Sequence, residues 1–220
     1  MQRRFSIAIW LAGLVAAPGA RAAIIDRIAV SVGNRVITEA DVDREIRMTA
    51  LLNSAPLRSR LSKEEKRSAA ERMVDQTLVR SELEASRYLP PSAAETEAAL
   101  AEEKARFGDE AAYRRALAEY GVSEEDLKAR LVWQLTLLRF IDVRFRPGIQ
   151  IGDEEIRKYF DDHMSAGLMA AHPGQTPSVD DHRAGIVQKL IGRAADQQVE
   201  QWLKESRRRT RIQYHEEAFQ

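Results

Sequence analysis

Ile24-Ile25-Asp26-Arg27-Ile28-Ala29-Val30-Ser31-Val32-Gly33-Asn34-Arg35-Val36-Ile37-Thr38-Glu39-Ala40-Asp41 decides the fold. The run to Val32 is rich in β-branched residues, and from Ile28 onward it alternates apolar with small side chains. Gly33-Asn34 supplies a turn and Arg35-Val36-Ile37 resumes the strand, so the stretch predicts a small hairpin. Thr38 then caps a helix whose positive end carries Glu39 and Asp41. At the far end of the chain Thr210-Arg211-Ile212-Gln213-Tyr214-His215 also alternates and reads as a strand. A lone strand leaves its backbone groups unpaired. The hairpin is the only other strand material, so the two ends are expected to pair in one small sheet that closes a mainly helical body.

The segment between them is punctuated by helix starts and stops. Val42, Ile46 and Ala50 recur at helical spacing to about Asn53, and Pro56 lies in the loop beyond. Ser62-Lys63-Glu64-Glu65 has the form of a capping box and opens a second helix, which Pro90-Pro91 stops. Ser92-Ala93-Ala94-Glu95 repeats the signature and opens a third helix, to about Phe107. A short helix carries Tyr113, Leu117 and Tyr120 and ends at Gly121. Ser123 caps a fifth, with Leu127, Leu131, Leu135, Leu138, Ile141 and Phe145 along it and Trp133 and Phe140 to the side. Gly152-Asp153-Glu154-Glu155-Ile156 starts a helix to about His163. Met164 to Ser178, with Gly167, Pro173, Gly174 and Pro177, reads as a loop, and a long helix resumes at Val179.

The first 22 residues have the layout of a secretory signal peptide: Arg3 and Arg4, an apolar run from Phe5 to Ala17, a Pro18-Gly19 break, and small residues at Ala20 and Ala22. The apolar run is shorter than the ~20 residues a spanning helix needs. On this reading the rest of the chain works in the bacterial periplasm, without ATP and without stable membrane insertion. The chain contains no cysteine, which excludes disulfides, thiolate metal sites and lipid attachment through cysteine. Its 34 basic and 34 acidic residues balance, and three of the arginines belong to the leader. The exported part is therefore slightly acidic, which argues against nucleic acid as a partner.

Catalytic patterns are thin. Asp161-Asp162-His163 and Asp180-Asp181-His182 do not have the spacing that turns ligands on one helix toward one metal. Ser31 and Ser165 lack a glycine elbow, and the chain has no glycine-rich phosphate loop. Neither a cofactor nor a metal is expected. Arg207-Arg208-Arg209-Thr210-Arg211 follows a long helix, where positive charge complements the dipole.

Residues 25–43 resemble the opening of the SurA family of periplasmic chaperones, whose mature chains begin with a similar strand, turn and strand-to-helix transition. Arg72-Met73-Val74-Asp75-Gln76-Thr77-Leu78-Val79 is similar to a family helix, and Ile151-Gly152-Asp153-Glu154-Glu155-Ile156-Arg157-Lys158-Tyr159-Phe160 resembles a later family motif. Val187 to Ile212, with Trp202-Leu203-Lys204-Glu205, is similar to the closing helix and returning strand. In the family one or two parvulin-type isomerase domains usually follow the motif at 151–160. Here too few residues separate His163 from the last helix to build one.

The resemblance therefore implies a signal peptide (1–22), a SurA N-terminal-like helical domain (23–160), a loop in place of the isomerase insert (161–178), and a closing helix and strand (179–220). It implies a non-enzymatic holdase for unfolded exported proteins, outer-membrane proteins among them. Flexible or amphipathic side chains suit such a surface. Met48, Tyr113, Tyr120, Trp133 and Phe140 are the candidate client-binding residues. The alternatives are a divergent prolyl isomerase and an adaptor subunit of an envelope complex, or a homodimer that exchanges terminal elements.

Overall fold

The computed structural model describes residues 26–58, 60–86, 88–171 and 176–220. The leader at 1–22 lies outside the described residues. Strands β1 (Ile28–Val32) and β2 (Arg35–Thr38) form the expected hairpin. Gly33 opens its turn at φ 60°, a conformation glycine adopts without a Cβ clash. Strand β3 (Ile212–Tyr214) pairs with the other edge of β1, so the antiparallel order is β2-β1-β3. Val30 faces Ile37 on one side and Tyr214 on the other. Two further main-chain bonds fasten this junction, Gly33 N–H to Arg211 C=O at 2.9 Å and His215 N–H to Ala29 C=O at 2.9 Å. The two ends of the described chain therefore meet in one sheet, as their alternation predicts.

The register of the hairpin shifts between Ile28 and Val30. That bulge lets the consecutive residues Ala29 and Val30 both be buried, where a regular pleat would turn one outward. With Val32 and Ile37 they form the floor of the first core. Helix α1 (Glu39–Leu52) leaves the hairpin and helix α2 (Lys63–Ser86) lies across the sheet. Ala69 and Ala70, both fully buried, let the α2 backbone approach the strands. After β3 a 3-10 turn (Glu216–Phe219) folds Ala218 and Phe219 back into this same core. Arg67 lies over the Tyr214 ring at 3.5 Å and over the Phe219 ring at 5.7 Å.

Helices α3 (Ala93–Ala105), α4 (Glu110–Tyr120) and α5 (Glu124–Arg144) build outward from α1. The expected caps form. Thr38, Ser92 and Ser123 each accept from the third residue of their helix, whose carboxylate accepts in return from the cap N–H. Ser62 and Glu65 make the same pair of bonds at the start of α2. Gly121 ends α4 at φ 60°.

Helix α5 does not use the single stripe its leucines suggest. Leu127 and Leu131 enter a second core with Met48, Leu100, Tyr113 and Leu117. Trp133 and Phe140 enter a third with Val79 and Ala195, while Leu138 is 60% exposed. The helix runs between two cores on different sides, so its buried face rotates along its length.

The segment 164–171 differs from the loop expected over 164–178. Helix α6 (Asp153–Phe160) continues through a π turn (Asp161–Ser165) into helix α7 (Ala166–Ala171). Gly167 costs about 1 kcal/mol in a helix, which is too little to end one. Met164 and Leu168 also gain contacts, because they pack against a fourth core of Ile156, Tyr159, Phe160 and Ile186. Helix α8 (Val179–Arg209) supplies Ile186 there and Ala195 to the third core, so it spans both.

Two outcomes follow. Phe219 is 1% exposed in the core under the sheet. Phe219→Ala should cost about 3–5 kcal/mol in urea unfolding, as much as a substitution at a central strand. The Glu95 carboxyl is held down to about 2 by its bonds to the Ser92 hydroxyl and N–H and then by Arg139. The contribution of this cap is full above the ordinary Glu value of ~4.3 and is lost as pH falls toward that lowered value. A residue-resolved NMR titration should show the low midpoint in the wild type and a higher one in Ser92→Ala.

Candidate functional site

The connection from α1 to α2 begins with a strained turn. Ser54 N–H bonds to Leu51 C=O at 3.1 Å and Ala55 N–H to Ala50 C=O at 2.9 Å. Those are the paired bonds of a Schellman ending, which needs a left-handed residue after the cap. Ser54 fills that position at φ 51°, where glycine is the usual occupant. The turn throws the following loop away from α1 and opens a cleft of about 930 Å³. Ile46, Ala50, Leu57 and Leu61 give it apolar walls, from the last turns of α1 and the loop. Leu57 is 37% exposed. The loop is pinned from outside, since Tyr120 Oη donates to Ala55 C=O at 2.8 Å and Arg106 Nη2 to Leu52 C=O at 2.9 Å.

Two polar atoms on the α1 side of this cleft are buried and have no hydrogen-bond partner, Asp43 Oδ1 and Arg47 Nε. They are one helical turn apart. The loop side carries Arg58, which pairs with Glu65 at 2.6 Å, and Arg60. Lys66, at the start of α2, donates to Glu39 at 3.3 Å and to the Gln220 main-chain oxygen at 3.4 Å. Glu65 is kept ionised, its pKa lowered first by the Ser62 N–H and then by the Ser62 hydroxyl and Arg58. The arrangement suits an extended, partly apolar chain, offering apolar walls set among charged side chains.

The five candidate client-binding residues are not gathered here. Met48, Tyr113, Trp133 and Phe140 are between 0% and 5% exposed and belong to the second and third cores. They are packing residues, which corrects the expectation of a client surface made from them. Phe140 is ringed by Tyr88, Phe145 and Trp202 at 5.5 to 5.6 Å between centroids. Arg80 covers Trp133 at 4.2 Å. Met48 and Trp133 do border a smaller cleft of about 210 Å³, but the bidentate Glu45–Arg130 pair, at 2.8 and 2.9 Å, fills its wall with charge. Tyr120 alone of the five bears on the large cleft, as the residue that holds its loop. Leu57 and Leu61 escaped the sequence reading, and Ile46 entered it only as part of a helix face, although two leucines after Pro56 in a connection between helices are a visible signal.

His163 and His182 line one shallow cavity of about 370 Å³ with Asp181 and Lys189. Their rings rest on aromatic neighbours, His163 edge-on to Tyr159 and His182 stacked on Phe160. Among the described residues no group of three or more His, Cys, Asp or Glu is placed to hold a metal ion. No helix among them is long and apolar enough to cross a membrane.

Ser54→Gly should stabilise the protein by about 0.5–1 kcal/mol in urea unfolding, because it relieves a left-handed conformation that costs an L-residue ~1–2 kcal/mol. No family model matches the chain, and no curated protein matches it significantly.

Proposed function

We propose that the protein is an ATP-independent periplasmic holdase that keeps unfolded exported polypeptides, outer-membrane proteins among them, from aggregating. The open cleft between α1 and the connection that leads to α2 carries this reading, because it joins apolar walls to charged side chains. The signal-peptide layout of residues 1–22 and the resemblance of residues 25–43 to SurA-type chaperones support it from the sequence side.

The proposed mechanism needs no bond chemistry. An extended client segment lies along α1 and places apolar side chains against Ile46, Ala50, Leu57 and Leu61. Its polar groups meet the charged side chains that line the cleft, Arg58 and Arg60 among them. Each buried aliphatic anchor contributes about 1.5–3 kcal/mol and each hydrogen bond about 1 kcal/mol. Association and ordering cost upward of ~4 kcal/mol. A single segment that uses only some of these contacts is then held weakly, in roughly the micromolar to millimolar range. That grip releases without nucleotide, and the many segments of an unfolded chain can take turns in it. The edges of the terminal sheet add a second mode, since a client strand can pair with backbone irrespective of its sequence.

Protein purified without its leader should suppress light scattering from a diluted, denatured outer-membrane protein at near-stoichiometric ratio, with no nucleotide present. Leu57→Glu combined with Leu61→Glu should weaken that suppression about tenfold while leaving the circular dichroism unchanged. Undiminished scattering at severalfold excess of the wild type would sink the reading.

A further inference from the structure

The cleft is unevenly charged. Four cations line it, Arg47, Arg58, Arg60 and Lys66, against the carboxylates of Asp43 and Glu65 and the Gln220 main-chain oxygen that Lys66 bonds. The pairing within it is uneven too. Glu65 is spent on Ser62 and Arg58, and Lys66 on Glu39. Neither Arg47 nor Arg60 has a carboxylate partner among the described residues, and Arg47 keeps a buried Nε–H without an acceptor. Asp43 lies one turn before Arg47 on the same wall.

From this we infer that the cleft discriminates among clients by charge, preferring extended apolar segments that carry an Asp or Glu at their flank over those that carry Lys. The inference rests on the reading of this cleft as a polypeptide-binding site and adds a selectivity to it. A carboxylate entering beside Ile46 supplies the acceptor that the Arg47 guanidinium lacks, and a charge-assisted bond of that kind is stronger than a neutral one. Arg60, on the opposite loop, attracts the same group at longer range. A lysine in that place meets two cations, Arg47 and Arg60, against the one carboxylate of Asp43 on the same wall. The preference is electrostatic and partly solvated, so it weakens with salt.

The experiment is fluorescence anisotropy of the protein without its leader against three labelled peptides that share one apolar centre and carry Glu, Gln or Lys flanks. Affinity should fall in that order, with Glu about tenfold tighter than Lys at low ionic strength and the gap narrowing at high salt. Arg47→Gln with Arg60→Gln should erase the gap, and any affinity the Gln-flanked peptide loses with it should be shared by all three peptides. Arg60→Gln alone, at the rim, should narrow it without any cost in stability. Leu57→Glu should weaken all three peptides, which places them in the cleft. Equal binding of the three, or tightest binding of the Lys peptide, overturns the charge preference and leaves the polypeptide site standing. Failure of all three to bind at millimolar protein overturns the site and the preference together.

Discussion

The structure depends on the central position of β1. Its backbone is shared between a local partner, β2, and a distant one, β3. The contact of the Ser31 hydroxyl with His215, at 3.3 Å, bridges a sequence separation of 184 residues. Closing so long a loop costs only ~5 kcal/mol of chain entropy, because that cost grows with the logarithm of length. The sheet offsets it by giving α2 an apolar floor and by leading Phe219 into that floor. The helices α1 to α8 pack around four cores, of which only the first touches the sheet. The terminal strands thus act as a clasp on a loosely segmented helical body, and the segmentation is what leaves room for clefts.

Much of this architecture was legible because it is written in local chemistry. A serine or threonine three residues before a carboxylate fixes its cap wherever the helix later packs, so Thr38, Ser62, Ser92 and Ser123 could be read directly. Alternation at both ends, with no other strand available, left one pairing to choose. The sequence was less informative where tertiary packing decides. Leu138 and Leu131 sit on the same apolar stripe, yet one is exposed and the other buried, because α5 passes from one core to the next. Gly167 and the nearby prolines suggested a loop, and packing of Met164 and Leu168 against α8 overrode the glycine.

The functional residues were the least legible for the same reason. Trp133, Phe140 and Tyr113 have the side chains a promiscuous binding surface needs, but such side chains also make the best core filling, and here they are core. The cleft is instead lined by aliphatic residues set among charged ones, and one strained serine shapes its entrance turn. Ser54 holds an unfavourable backbone conformation at the point where the chain must leave α1, and the Tyr120 phenol fixes the far end of the turn. Neither residue touches the cleft's interior in the proposed mode. Both decide whether the interior exists.

The order in which a ribosome delivers these strands has a consequence of its own. Synthesis runs from the N-terminus, so β1 emerges among the first elements and β3 among the last. Until residue 214 is delivered, one flank of β1 stays unzipped and Phe219 has not plugged the floor beneath it. An unzipped flank is a template for strangers. A chain proposed to shelter unfinished proteins spends nearly its whole manufacture as one.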